Sequence, residues 1–225
     1  MKRVDQRLLD LFGNTKSSSS DNKSAHGVAA SIHSENSKEI LNEIPSLGPV
    51  TYLPNLEVII ADVEVDGFEY LVNNRDVHAI SDSELMHDIP KPLDIDSTSR
   101  LTSREMMRGE LSLFSENEGK GITVAVMDTG VYAEHESLKG RVLDQVLCAN
   151  DEVYSAGDID GHGTHVAGSI AGEGIGVASE STILDLRVFG RSLHASTASI
   201  LHALDTCISR DVDIVNMSLG SNSPS

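Results

Sequence analysis

The chain has 225 residues, enough for one large domain or two modest ones. Its 35 acidic and 17 basic residues give a formal net charge of −18, so a nucleic-acid phosphate surface would repel it and is excluded as a partner. No stretch approaches the ~20 apolar residues of a membrane span, and no apolar run typical of a signal peptide is visible, so no compartment is predicted. Cys148 and Cys207 lie in apolar-leaning segments and are predicted to be buried free thiols.

The N-terminal 26 residues are polar and end in the serine-rich run "KSSSSDNKS". Low-complexity polar segments bury too little apolar surface to offset the entropy of ordering the chain. Residues 1–26 are therefore predicted to be disordered.

Residues 27–88 show the pattern of a small α+β domain. The predicted order β-α-β-β-α-β is that of ferredoxin-like domains. The predicted elements are a strand at 27–33, a helix capped by Ser34, a hairpin turning at Pro54-Asn55, a helix at 66–74 and a strand at 76–84.

Residues 89–118 lack a clear period and are predicted to be a linker leading into the next domain. They contain two prolines in "IPKPLDIDSTS". The segment 103–114 is predicted to form a short amphipathic helix within this linker.

From residue 119 onward, apolar strands alternate with helical segments. This alternation predicts a parallel α/β sheet with right-handed crossovers. In such sheets, ligands bind beyond the carboxyl ends of the strands. Asp128 and Ser218–Gly220 follow strands and His162 begins a helix, so these residues are placed where a shared site could form.

The residue types at these positions leave alternatives open. The Asp128 carboxylate could be a turn or helix-cap group. The Asp-Thr-Gly triplet also occurs in aspartic proteases, but these use two copies or two chains, and this sequence has one copy. The spacing of His162 and His165 could chelate a metal, but neither a third ligand nor the adjacent acid of an HExxH motif is evident.

Three separated motifs, "GKGITVAVMDTGV", "DGHGTHVAGSIAG" and "VDIVNMSLGS", resemble in this order the subtilisin-like serine proteases. The resemblance covers residues 119–225 and implies a serine endopeptidase that acts on peptide or protein substrates. It implies that Asp128 is the carboxylate of an Asp-His-Ser triad and His162 its general base. His165 is then expected to pack within its helix.

The resemblance also implies two substrate-binding segments, which pair with the peptide backbone as added strands. One is Ser218, Leu219 and Gly220. The other is Leu193, His194 and Ala195, where this sequence lacks the glycine-rich family pattern.

Residues 27–88 are similar to the inhibitor-like propeptides of these proteases, which implies a domain that packs on the catalytic domain and places its C-terminal tail in the active site. A processing junction is expected within residues 86–100. An unrelated small α+β domain is the alternative for this region. For the whole chain, the alternative function is a catalytically inactive, propeptide-like inhibitor or chaperone of a partner protease.

Two departures from the family pattern carry further expectations. Ser137 stands where many relatives have a calcium-binding aspartate, and the usual calcium loop is shortened to "GEGIGVAS", so no metal or other cofactor is expected. Neither the oxyanion asparagine nor the nucleophilic serine of the family can be found after Ser218–Gly220. The chain is therefore expected to be the N-terminal part of a longer protease, inactive on its own.

Overall fold

The computed structural model describes residues 2–14, 25–32, 36–89, 118–149 and 157–220. The chain divides into two compact units, Met1–Leu85 and Met86–Ser225. This division lies three residues before the end of the predicted 27–88 domain. Within the described ranges, no helix is both long and apolar enough to cross a membrane.

The first unit opens with ordered structure, so the prediction of disorder over residues 1–26 is wrong for its first part. A short strand, β1 (Arg3–Val4), is followed by helix α1 (Gln6–Asn14). Leu8 and Phe12 lie one helical turn apart and are both buried, and the Phe12 ring stacks on another phenylalanine at 4.4 Å. Their apolar stripe stabilises the helix, although the polar composition around it suggested otherwise.

The rest of the first unit follows the predicted β-α-β-β-α-β order. The elements are β2 (His26–Ile32), α2 (Ser37–Glu43), β3 (Thr51–Leu53), β4 (Val58–Val63), α3 (Val65–Asn73) and β5 (Val77–Asp82). The strands form one sheet in the order β1-β5-β2-β4-β3, in which β1 runs parallel to β5 and the other neighbours are antiparallel. The N-cap of α2 is Asn36, whereas the predicted cap Ser34 lies outside the described residues.

The second unit is built on a parallel sheet, which confirms the predicted fold class. Its elements are β6 (Met86–Asp88), β7 (Thr123–Asp128), β8 (Val142–Leu147), α4 (His162–Ala171), β9 (Thr182–Arg187), β10 (His194–Ser196), α5 (Thr197–Ser209) and β11 (Ile214–Met217). The parallel strands are ordered β11-β7-β9-β8, and every neighbouring pair is parallel. A separate antiparallel pair joins β6 to β10.

Helices cover both faces of this parallel sheet, as expected for alternating strands and crossover helices. One face packs against α4; its buried residues include Val124, Val126, Ala167, Ala171 and Ile183. The other face packs against α5; its buried residues include Ala125, Leu184, Ala203 and both cysteines, which confirms the prediction of buried free thiols.

Three local expectations differ from the structure or lie outside it. Strand β8 was not predicted, because its sequence "VLDQVL" interrupts the apolar run with two polar residues. The apolar period of residues 197–211 predicts a helix with Ile200 and Ile208 facing inward, but Ile208 is 53% exposed, since the buried side of α5 runs through Ile200, Ala203 and Cys207. The helix predicted at 103–114 lies outside the described residues.

Candidate active site

Asp128 is the last residue of β7, at the carboxyl end of a central strand. Its side chain is fully buried, and Oδ1 accepts a hydrogen bond from the backbone N–H of Thr129 at 2.7 Å. Burial raises the pKa of Asp128, while the hydrogen bonds from His162 and Thr129 oppose that rise. The sheet therefore holds a rigid, largely desolvated carboxyl at this edge.

His162, the first residue of α4, meets this carboxyl directly. Its Nδ1 lies 2.8 Å from Oδ1 of Asp128, and its side chain is 23% exposed. The structure therefore brings together the two residues that the resemblance pairs. Within the described ranges, Asp128 is the hydrogen-bonded partner of the ring, so the opposite nitrogen, Nε2, is free to meet a substrate or nucleophile.

Two glycines flanking His162 make this approach possible. Gly161 has a φ of 105°, in the left-handed region that favours glycine. A Cβ on Gly163 would lie 2.2 Å from the backbone oxygen of Gly130, much closer than any real contact. The glycines thus let the start of the helix pack closely against the turn that follows Asp128.

The carboxylate of Asp158 was missed by the sequence reasoning, yet it organises the start of α4. Its Oδ1 accepts from the Thr129 hydroxyl at 2.8 Å, and from the N–H groups of Asp160 and Gly161. Its Oδ2 accepts from both the N–H and the hydroxyl of Thr164. Asp158 lies three residues before the N-cap residue Gly161, so the usual sequence signal, an aspartate at the N-cap position itself, was absent.

Electrostatics fit this capping role. Burial alone would raise the pKa of Asp158, but the hydrogen bonds from Thr164, Gly161, Asp160 and Thr129 outweigh it and lower the pKa below its usual range. The carboxylate is therefore charged at neutral pH and ties the Asp128 turn to the helix that carries His162.

The two predicted substrate segments lie on either side of strand β6 in the second unit. β6 pairs antiparallel with β10, with Asp88 opposite His194. On its other side, Asp88 exchanges two backbone hydrogen bonds with Gly220, at 2.8 and 3.0 Å. The Asp88 carboxylate also lies 2.7 Å from Nδ1 of His194.

The remaining predicted substrate residues lie around this strand. Leu193 precedes β10 with a φ of 58°, and Ala195 is fully buried. The Ser218 hydroxyl accepts from the Asn216 side chain at 2.9 Å, and Leu219 packs against the core on the α5 face. Their substrate-binding roles stay predictions.

Two further expectations concern His165 and metal binding. His165 is exposed on α4, so the expectation that it packs is wrong for this structure. At Ser137, the N–H lies 3.3 Å from Nδ1 of His135 and the carbonyl accepts from the N–H of Glu173. Across the described ranges, no group of three or more His, Cys, Asp or Glu side chains converges as metal ligands do.

In sequence comparison, residues 119–225 match the subtilase family. The intracellular serine protease of Paenibacillus polymyxa is 34% identical over 119 residues, covering 48% of this chain and 36% of that protein. Serine protease AprX of Bacillus subtilis is 30% identical over 163 residues, covering 66% of this chain and 33% of that protein. The chain thus spans about a third of the length of these curated relatives.

Structure comparison finds the same fold over a longer part of the chain. The epidermin leader peptide processing serine protease of Staphylococcus aureus matches with a TM-score of 0.65 at 18% identity, covering 87% of this chain and 50% of that one. Fervidolysin from Fervidobacterium pennivorans matches with a TM-score of 0.59 at 21% identity, covering 90% of this chain and 37% of that one.

Proposed function

We propose that the protein is a serine endopeptidase whose general base is His162, because residues 119–225 match the subtilase family. The observation that carries this proposal is the 2.8 Å contact between Nδ1 of His162 and the buried Asp128 carboxyl. The two residues lie in the family's motifs and at the edge of the sheet where ligands of α/β folds bind.

The geometry suits general-base catalysis of acyl transfer. Asp128 accepts the Nδ1 proton, which selects the tautomer in which Nε2 has a free lone pair. Nε2 can then take the proton of a serine hydroxyl, which is a weak nucleophile until a base removes it. Asp128 also stabilises the imidazolium that forms. Among the described serines none is hydrogen-bonded to His162, so the nucleophile is proposed to lie outside the described residues.

The proposed chemistry assigns no step to a metal or another cofactor. A triad generates its nucleophile by proton transfer between side chains. Ser137 supplies no carboxylate at the position where relatives hold calcium, so the family's calcium site is not proposed here.

A peptide substrate is proposed to bind as a strand between β10 and Ser218–Gly220. The support is that β6 already takes this arrangement, with Asp88 opposite His194 on one side and Gly220 on the other. By this reasoning, residues 27–88 are proposed to be a propeptide whose terminal strand occupies the substrate-binding edge until it is cleaved.

A fluorophosphonate probe, which reacts with activated serines, tests the proposed activity. We expect it to label one serine in the full-length gene product and to block hydrolysis of casein. His162→Gln should abolish labelling, because the base is removed. Asp128→Asn should lower the rate of hydrolysis by about four orders of magnitude, because the tautomer is no longer held.

The matched control is His202→Gln, which changes an exposed histidine on α5 outside the site. It should leave both labelling and casein hydrolysis unchanged. Labelling that survives in His162→Gln, or a full-length product in which no serine reacts, would contradict the proposed function.

A further inference from the structure

Asp185 is a buried carboxyl in the middle of β9 that the proposed chemistry does not use. It lies opposite Val126 in the parallel register, and therefore on the same face of the sheet as Asp128 on the neighbouring strand. Its side chain is fully buried. Aspartate is almost never buried without partners, because desolvating a charge is costly. The buried Asp185 carboxyl is therefore expected to have specific hydrogen-bond partners and a structural or functional role.

Its partners converge on one residue, Val131. Oδ2 of Asp185 accepts from the Val131 N–H at 2.9 Å and from the Gln145 side-chain amide at 2.8 Å. The same Gln145 amide also donates to the Val131 carbonyl at 2.6 Å. Asp185 and Gln145 thus bind both backbone polar groups of Val131, and we call these three residues the Val131 clamp.

The clamp closes the far end of the turn that begins at Asp128. At the near end, the Asp128 carbonyl accepts from the N–H of Val188 on the chain that leaves β9. In the middle, the Thr129 hydroxyl accepts from the N–H of Gly163 at 2.9 Å. The Val131 side chain is itself buried in the core on the α4 face, and the N–H of Tyr132 donates to the Thr164 hydroxyl at 2.9 Å. The clamp adds the hydrogen bonds to both backbone polar groups of Val131, and so fixes the orientation of the peptide groups between Gly130 and Tyr132.

We propose that Asp185, together with Gln145, is a positioning residue that holds the turn after Asp128 and thereby keeps the Asp128 carboxyl aligned with His162. This inference rests on the proposed function, because alignment of the pair matters only if the pair acts as base and carboxylate. Its test does not require hydrolysis, so it can fail or succeed independently.

The clamp has a second property, which supplies a specific readout. Burial raises the pKa of Asp185 to about 7; hydrogen bonds from Gln145 and Val131 oppose the rise, and the charges of Asp158 and Asp128 add to it. The other ionisable groups in this part of the sheet are Cys148 after β8 and the buried Arg187 two residues along β9. The acceptor of the Val131 N–H therefore changes its charge near neutral pH.

Nuclear magnetic resonance of the 225-residue chain tests the proposal. In Asp185→Leu, which removes the acceptor, we expect the Val131 amide to exchange at least tenfold faster. We also expect the ring N–H resonance of His162, identified by its loss in His162→Gln, to disappear. Asp185→Asn keeps an oxygen for the Val131 N–H and should restore both signals. The Val131 amide shift should titrate near pH 7 in the wild type and stay flat in Asp185→Asn.

The matched control is Thr182→Val, at the opposite end of β9, where the hydroxyl contacts Thr123 and not the turn. It should leave Val131 exchange and the His162 resonance unchanged. The proposal would be overturned if Asp185→Leu kept the wild-type rate of Val131 amide exchange and the His162 ring N–H resonance. It would also be overturned if Thr182→Val showed faster Val131 exchange and lost that resonance. If Asp185→Leu does not fold, Gln145→Leu decides: Val131 exchange several-fold faster supports the clamp, and unchanged exchange refutes it.

Discussion

Replacement of Asp185 by asparagine should change how the stability of the protein depends on pH. Burial raises the pKa of this carboxyl from its ordinary value of 3.8 to about 7 in the folded protein. Between these two values the folded state keeps a proton that the unfolded state has released, so raising the pH favours unfolding. The stability is highest below the unfolded pKa and falls until the pH passes the folded pKa.

The magnitude follows from the size of this pKa difference. Each pH unit corresponds to about 1.4 kcal/mol, so the carboxyl costs the wild type about 2 kcal/mol of unfolding free energy between pH 5.5 and pH 7. Asp185→Asn carries no ionisable group there and should escape this loss. Its unfolding free energy relative to the wild type should therefore rise by about 2 kcal/mol over that range, and then level off.

Urea unfolding followed by circular dichroism, at several pH values from 5.5 to 8, measures this difference directly. Asp144→Asn is the matched control, because its side chain on β8 is 45% exposed and its carboxylate is paired with Arg210 at 2.9 Å. Its unfolding free energy relative to the wild type should change by less than about 0.5 kcal/mol over the same range. If the unfolding free energies of Asp185→Asn and the wild type differ by the same amount at pH 5.5 and pH 8, the reasoning is refuted.

Three further predictions use the same unfolding assay or a thiol reagent. Gly163→Ala should cost about 3 kcal/mol or more, because its Cβ would lie 2.2 Å from a backbone oxygen. On the same helix, Gly168→Ala meets its nearest atom at 3.7 Å and should gain about 1 kcal/mol; equal effects would contradict this reasoning. Asp158→Ala should cost about 2 kcal/mol or more at pH 7, through the lost cap of α4, and a cost near zero would exclude that role. Burial raises the pKa of Cys148 to about 12 and that of Cys207 to about 11, so neither thiol should react with Ellman's reagent at pH 8 until the protein is denatured; rapid reaction of the native protein would contradict their burial.

Patterns that act over short distances were readable from the sequence. The parallel sheet, the ferredoxin-like order and the Asp128–His162 contact all followed from apolar periods, turn residues and motifs. These signals work because a strand end or a helix start is set by neighbouring residues. The N-terminal helix α1 was not predicted, because its signal depends on tertiary contacts. Its two buried residues, Leu8 and Phe12, form a stripe of one helical turn inside a polar segment, and only the partners they pack on give that stripe its meaning.

The sequence by itself determined the fold class, because apolar periods and turn residues are local features. The resemblance of its motifs to the subtilisin-like proteases indicated which histidine pairs with the Asp128 carboxylate. Only the tertiary structure decided what surrounds that pair. The turn that follows Asp128 is held by Asp158, Gln145 and Asp185, which come from three separate segments. The residues next to each of them in the sequence do not indicate that all three contact this turn. Burial and hydrogen bonding depend on what the folded chain brings into contact, so the supports of the site became visible only after the sheet was assembled.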